Sequence, residues 1–274
     1  MPRVTGLDSF VRLRPPELPG VGIVRGEREQ RLWRGIKPVH AIHLTLQGVS
    51  ERWYRGQVLT EAPGTLSFKE AGEVYRDVRR HTPGTFQVIA FDSALVDEAR
   101  DALGVSASGY LRVLQLKSED PRAHALLRLH EALRSSGTPV DTQRALLTEA
   151  LGAYVSLMGR GDEPARRGWR VPVRRAQSFL VEHLTEPVSL DMLASEARLD
   201  KYHLCRAFRD EVGLPPHEYL THLRIRKAQS LLEQGHRPAE VAADVGLYDQ
   251  SQLHRHFRRI VGVTPGQYAR ALSR

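Results

Sequence analysis

The sequence predicts an α+β chain: an N-terminal β-barrel with an appended helical pair, linked to an all-α domain carrying two helix-turn-helix motifs. Three observations predict it. Apolar residues alternate with period two from about residue 33 to 116. The apolar period returns to 3.6 after Asp120. The last hundred residues carry one sequence pattern twice.

In the first stretch, Ile42, Leu44 and Leu46 alternate with His43 and Thr45, and Leu66 and Phe68 alternate with Ser67 and Lys69. Phe86, Val88 and Ala90 repeat the theme, as do Leu111 and Val113. Gly48, Gly56, Pro63-Gly64, Gly72 and Pro83-Gly84 punctuate the runs. Short period-two runs separated by such breakers indicate an all-β sandwich or barrel, here over about residues 20–117. A short helix is expected over Ala94–Leu103.

After Asp120, Leu126, Leu129, His130 and Leu133 make one helical stripe, and Gly137-Thr138-Pro139 ends it. A second helix starts at Asp141 or Thr142, with Leu147, Ala150, Leu151, Tyr154, Val155 and Met158 on its apolar face. This helical pair, about residues 120–158, closes a first domain of residues 1–160. Residues 161–171 are polar and rich in breakers and read as a linker. Residues 172–274 form the second domain.

The repeat lies in that domain. A displacement of 48 places Leu193-Ala194 on Val241-Ala242, Ala197 on Val245 and Leu199 on Leu247. One inserted residue, Tyr248, changes the displacement to 49. Asp200 then meets Asp249, Leu204 meets Leu253, Arg206 meets Arg255 and Phe208 meets Phe257. Gly213 and Gly262, Pro216 and Pro265, and Tyr219 and Tyr268 follow. In the first copy Ser189 caps a helix running to about Ala197, and Asp200 caps a second one through Val212, which Gly213 ends. Leu204, Phe208 and Val212 face inward at i, i+4 and i+8, leaving Lys201, Tyr202, Cys205, Arg206 and Arg209 outside. In the second copy Pro238 opens the short helix, Gly246 permits the turn and Asp249 caps the next helix. There Leu253, Phe257 and Val261 face inward, and Gln250, Ser251, His254, Arg255 and Arg258 face out. The motifs span about residues 189–212 and 238–262, each a short helix, a tight turn and an amphipathic helix with a basic face. A helix over about His217–Glu233 connects them. One near Arg174–Leu184 precedes them, and one near Pro265–Leu272 closes the chain.

This arrangement implies DNA binding. A B-DNA major groove admits one α-helix. Two helices held about 34 Å apart enter successive grooves on one face of the duplex. A connector of about 17 residues is about 25 Å long at 1.5 Å per residue, a suitable spacer. Arg pairs bidentately with guanine and Gln with adenine.

Composition sets the remaining bounds. The chain has 274 residues, 41% hydrophobic and 26% charged, and a net charge of +8. A basic balance favours anionic partners, nucleic acid above all. The charge does not locate the site, because residues 171–274 carry 15 Lys and Arg against 12 Asp and Glu, and the rest carries 25 against 20. Nothing approaches the roughly eighteen apolar residues of a membrane span. The first residues lack the apolar core of a signal peptide. The single cysteine, Cys205, excludes an intramolecular disulfide and argues against a cysteine-based metal cluster. A cytoplasmic protein is expected.

The stretch Val241-Ala242-Ala243-Asp244-Val245-Gly246-Leu247-Tyr248-Asp249-Gln250-Ser251-Gln252-Leu253, with Arg255, Phe257, Gly262, Thr264-Pro265-Gly266 and Tyr268, resembles the signature of AraC/XylS transcription regulators. Leu193-Ala194, Leu199, His203-Leu204, Arg206, Phe208, Gly213, Pro216 and Tyr219 resemble the family's first motif. Arg224-Ile225 and residues 228–232 look like its connecting helix. The close resemblance covers about residues 172–274. It implies base-reading positions at Tyr202, Cys205 and Arg206, and at Gln250, Ser251, His254 and Arg255. The chain departs from the pattern at Arg198, where the family usually has Gly, and at Leu247, where it usually has Phe. Cys205 stands where a hydrogen-bonding residue is common.

The N-terminal part looks like the family's cupin-type sensory domain, on Pro63-Gly64-Thr65-Leu66 and Ala71-Gly72-Glu73-Val74-Tyr75. That resemblance implies a small-molecule effector inside the barrel, with Trp33, His40, His43, Trp53, Tyr54 and Tyr75 as candidate contacts. It implies dimerisation through the helical pair, with Leu147, Leu151, Tyr154 and Val155 as candidate contacts, and a homodimer that activates transcription beside RNA polymerase. Cupin enzymes hold a metal with a His-x-His pair. Here two residues separate His40 from His43, which puts them on opposite faces of a strand. Tyr75 stands where a His is common, and His81 is the only other one nearby. No metal, cofactor, catalytic residue or membrane partner is expected. The rival readings are a regulator controlled by a protein partner or by abundance, and a metal cupin fused to a DNA-binding tail.

Overall fold

The computed structural model describes residues 4–5, 10–13, 15, 17–105, 110–135, 137–159 and 170–272. The expected linker over 161–171 lies outside these residues except at its end. Two short strands, β1 (Val4–Thr5) and β2 (Phe10–Leu13), come first. They lead to β3 (Val21–Glu29), β4 (Arg34–Ile36), β5 (His40–Gln47), β6 (Ser50–Tyr54), β7 (Gln57–Glu61), β8 (Thr65–Lys69), β9 (Val74–Arg80) and β10 (Gly84–Phe91). Then come α1 (Ser93–Ala102), β11 (Tyr110–Leu111), β12 (Gln115–Lys117), α2 (His124–Arg134), α3 (Val140–Ser156) and β13 (Met158–Gly159). The C-terminal domain holds α4 (Arg170–Glu182), α5 (Leu190–Ala197), α6 (Lys201–Val212), α7 (Pro216–Glu233), α8 (Pro238–Asp244), α9 (Gln250–Val261) and α10 (Pro265–Leu272).

The strands form two facing antiparallel sheets, one ordered β1-β2-β3-β10-β5-β8-β12 and the other β4-β9-β6-β7, with a small β11-β13 pair beside them. The period-two pattern sorts side chains between two unlike environments. Ile42, Leu44, Leu66, Phe68, Ile89 and Phe91 project from one face of the large sheet onto α1, α2 and α3, where they meet Val96, Leu126, Leu129, Leu147 and Leu151. The other face looks across at the small sheet. There Ala41, Phe86 and Val88 make only a small apolar cluster, and the filling is largely polar. The main core of the first domain therefore lies between sheet and helices, not between the two sheets.

This placement corrects the expectation for the helical pair. Leu147, Leu151, Tyr154 and Val155 are all buried in the chain's own core. The Tyr154 hydroxyl donates to the carbonyl of Lys69 at 3.0 Å and lies 3.1 Å from His40 Nδ1. A helical stripe shows that a face is buried, not what it is buried against.

Local rules account for the C-terminal elements. The Ser189 hydroxyl accepts from the Met192 amide at 3.2 Å. Asp200 accepts from the Tyr202 and His203 amides at 2.9 and 3.0 Å, and Asp249 from the Gln252 amide at 2.6 Å. Each satisfies amide groups that the first turn of a helix leaves unbonded. Gly213 and Gly262 end α6 and α9 with φ of 88° and 95°, where a side chain would be strained. Helix α4 starts at Arg170, four residues before the expected start. The duplication extends to packing: Phe208 meets Tyr219 edge-on at 5.4 Å and 72°, and Phe257 meets Tyr268 at 5.4 Å and 69°. Each copy has its own core, one around Leu204 and Phe208, the other around Leu253 and Phe257. Helix α7 joins them, with Tyr219 and Leu220 in the first core and Ile225, Ala228 and Leu232 in the second.

The domains touch along the small sheet. Ile36 and Val74 enter the core that holds Val212, Leu214 and Tyr219. Arg34 pairs with Glu218 at 3.0 Å, and Arg31 donates to the carbonyl of Arg259 at 2.6 Å. The Trp53 ring lies so close over Gly213 that a Cβ there would sit 2.1 Å from it.

Candidate nucleic-acid interface and sensor cavity

Helices α6 and α9 present matching faces. Lys201, Tyr202, Arg206 and Arg209 on α6 are exposed, and Cys205 between them is half-buried. Gln250, Ser251, His254, Arg255 and Arg258 on α9 are all exposed. The inward stripes hold these faces in place: Leu204, Phe208, Leu253 and Phe257 have no solvent exposure. The Lys201 ammonium pairs with Asp191 on α5 at 2.6 Å, and Arg206 reaches Asp210 only at 4.0 Å with 84% of its side chain exposed. An exposed pair of that kind is worth about 1 kcal/mol or less, so Arg206 stays available.

The connector holds the two faces apart. Helix α7 has 18 residues, about 27 Å at 1.5 Å per residue. Arg224 anchors it by donating to the carbonyls of Leu184 and Glu186 at 2.8 and 2.7 Å. At its C-terminal end the Tyr268 hydroxyl donates to Glu233 at 2.6 Å. The polar and cationic faces thus sit on a braced frame.

Tyr248 is 94% exposed, beside the α9 cap and next to Gln250, with its amide donating to Gln252 Oε1 at 2.9 Å. Sequence reasoning treats it only as the residue inserted between the repeats. An aromatic in a turn, outside both apolar stripes, was the available signal.

The second candidate site lies between the two sheets. A cavity of about 810 Å³ is lined there by Trp33, His43 and Tyr75 among the expected effector contacts, and by Lys37, Arg52 and Lys69, which the sequence did not single out. His40, Trp53 and Tyr54 lie elsewhere. His40 faces Tyr154 on the helix side of β5, and Trp53 covers Gly213 on the outside of the small sheet. Tyr54 is buried against Glu73, and its oxygen accepts from the Glu70 amide at 3.0 Å. Burial, then the nearby Glu73 carboxylate, push the Tyr54 phenol well above its usual range.

From the cavity wall Arg52 donates to Asp77 and to Glu61 behind it, both at 2.7 Å, and Arg80 donates to Asp77 at 2.9 Å. Burial holds the His43 imidazole well below its usual pKa, and Arg52 and Lys69 add to that. It is therefore neutral. Among the described residues no cluster of three or more His, Cys, Asp or Glu is placed to hold a metal ion.

Residues 193–271 match a helix-turn-helix domain model, and residues 18–153 match the AraC-like ligand binding domain. The regulatory protein SoxS of Salmonella typhimurium is 32% identical over 95 residues, 34% of this chain and 89% of that protein. The chain belongs to the AraC/XylS family. The HTH-type transcriptional activator RhaS of Salmonella schwarzengrund is 26% identical over 243 residues, 82% of this chain and 83% of its own length. Similarity to an AraC-type fold extends over both domains. Apo ToxT from Vibrio cholerae superposes with a TM-score of 0.53 at 12% identity, over 97% of this chain and 99% of that one. The chain spans 38%, 27% and 37% of the length of the first three curated relatives it matches. No helix among the described residues is long and apolar enough to cross a membrane.

Proposed function

We propose that this AraC/XylS chain is an effector-responsive, sequence-specific transcription regulator, and an activator. Its α6 and α9 enter successive major grooves of double-stranded DNA. The observation that carries the reading is the pair of capped recognition helices at repeat-equivalent positions, each exposing polar and basic side chains from a separate core. Arg206 and Arg255 read base edges, Gln250 and Tyr202 contribute contacts near the helix N-termini, and Arg209 and Arg258 hold phosphates. The cavity supports control by a small molecule. The reading assigns no catalytic step, in line with the relatives' names as regulators. A homodimer, a contact with RNA polymerase and a cytoplasmic setting belong to the same proposal. The subunit contact falls on the outer face of α2 and α3, since the inner faces are occupied.

Selection of bound sequences from random duplex DNA tests this, with the parent protein and with Arg206→Ala and Arg255→Ala. The expected result is two short blocks about one helical turn apart, with one block losing definition in each variant. Each lost bidentate contact costs about 1–3 kcal/mol of discrimination. Salt-sensitive binding without sequence preference, with both variants matching the parent, would sink the reading.

A further inference from the structure

Charge in the cavity does not balance. Arg52 and Arg80 are matched by Glu61 and Asp77. Lys69 has no carboxylate among the described residues at ion-pairing distance. It is 4% exposed, and its ammonium makes no hydrogen bond or ion pair with any described residue. Glu61 and Asp77 attract it only from beyond ion-pairing distance, and the Tyr75 ring lies 5.4 Å away. The same ring lies 5.8 Å from the Arg52 guanidinium and 5.9 Å from the Lys37 ammonium. Three cations converge on one phenol. Beside them, both ring nitrogens of His43 are buried without a hydrogen bond, 3.7 Å being the nearest approach to Glu61.

Native proteins seldom retain a buried imidazole with neither nitrogen bonded, or a largely buried lysine with no ion pair, without a use. Lys69 extends from the last position of β8, across from Ala41 on β5, and the inner face of β5 and β10 places His43 beside it. The strands therefore hold both groups rigidly toward one end of the cavity. Beside them the wall is apolar, built by Val24, Phe86, Val88 and Ala90 from β3 and β10 and by Ile260 from α9, with the Phe86 ring 5.0 Å from that of His43. A volume of about 810 Å³ falls within the usual range for small-molecule sites.

We propose that the effector is a small organic carboxylate with an apolar body. Its carboxylate pairs with the Lys69 ammonium and accepts a hydrogen bond from His43. Its body lies against Phe86 and Val88. The proposal rests on the effector-responsive reading above and gives that effector its chemistry. A charged acceptor supplies what Lys69 lacks, and charge-assisted hydrogen bonds are about twice as strong as neutral ones. Burial lowers the Lys69 pKa and so does Arg52. A bound anion acts in the opposite direction and favours the charged amine. The site also carries a route to DNA. His222, Arg226 and Gln229 of α7 close one side of the same cavity, so an occupant touches the helix that spaces the two recognition helices. Differential affinity for two domain arrangements then becomes differential DNA affinity.

The test uses the full chain and thermal melting without DNA. Phenylacetate and hexanoate are the probes, each paired with its neutral amide. The acids are expected to raise the melting temperature in a concentration-dependent way, and the amides are expected to leave it unchanged. Lys69→Met is expected to weaken acid binding at least about tenfold, while Lys69→Arg, which keeps the charge, retains the preference for acid over amide. Equal shifts from acid and amide, or no shift from either at millimolar concentration, would overturn the proposal. So would an undiminished acid shift in Lys69→Met. If Lys69→Met does not fold, the acid-against-amide comparison on the parent protein decides alone. The melting assay contains no DNA, so its failure leaves the DNA-binding reading standing. Failure of the DNA selection would in turn leave the carboxylate site intact.

Discussion

Arg198 and Gly246 occupy equivalent places in the two repeats, and both adopt left-handed backbone, with φ of 54° and 74°. The tight turn of each motif demands that conformation whatever residue fills it. For Arg it costs about 1–2 kcal/mol, whereas Gly adopts it freely but gives the unfolded chain more entropy. Arg198→Gly is therefore expected to stabilise the C-terminal domain by up to about 1 kcal/mol, raising its melting temperature by up to about 4–8 °C. A lower melting temperature in calorimetry would show that the Arg198 side chain contributes more than its backbone costs. Buried histidines act in the same direction as one another. Burial brings His40 and His222 to about 4 and His130 to about 3, against about 6.5 in an unfolded chain. As pH falls below 6.5 the unfolded chain takes up protons that the folded one refuses. Their contribution is whole above pH 6.5 and is lost progressively toward pH 4, on the order of a few kcal/mol together. Urea unfolding midpoints at pH 7 and pH 5 check this; a midpoint unchanged or higher at pH 5 would contradict it.

Among the elements, the helices of the second domain were the most legible. Ser189, Asp200 and Asp249 cap where a side-chain oxygen before an apolar run says they should, and Gly213 and Gly262 stop helices where only glycine turns easily. These are short-range rules, settled within a few residues of chain. The strands were legible as strands but not as a core. Alternation places Ile42 and His43 on opposite faces, and nothing local says that the Ile42 face meets helices while the His43 face encloses a polar cavity. The same gap explains α3. The stripe from Leu147 to Val155 is there, but its partner is the chain's own sheet. Of the six residues expected to meet an effector, Trp33, His43 and Tyr75 line the cavity. Lys37, Arg52 and Lys69 line it too, and they were passed over because a strand lysine or arginine ordinarily points to water.

At the scale of the whole molecule, the two domains share a boundary at which both motifs are held by their ends. Trp53 lies over Gly213 at the end of α6, and Trp33 lies close to Gly262 at the end of α9, 3.6 Å from where a Cβ would be. The barrel thus touches the same structural point in each repeat. Trp53→Ala should free the first motif from the barrel while leaving its core intact. Hydrogen exchange is expected to rise at Ile36 and at the start of α7, with the amides around Phe257 unchanged. Unchanged exchange at Ile36 would mean that the apolar contact of Ile36 and Val74 with Tyr219 holds the domains by itself. The Arg34–Glu218 pair adds little, because the Arg34 side chain is half exposed and such pairs contribute about 1 kcal/mol or less.

The sequence by itself determined the number and kind of domains, the duplicated motif, the caps and turns of α5, α6, α8 and α9, and which of their faces meets solvent. Each of these follows from spacing along a single chain segment, through a helical period, a capping oxygen or a glycine. Only the tertiary structure decided that the sheets enclose a cavity lined by a lysine with no ion pair among the described residues, that α3 is spent on the core, and that α7 forms a wall of that cavity. Those features depend on which faces meet between segments that are not neighbours along the chain. Burial changes the chemistry of Lys69 and His43 only once desolvation and neighbouring charges from several strands act on them together.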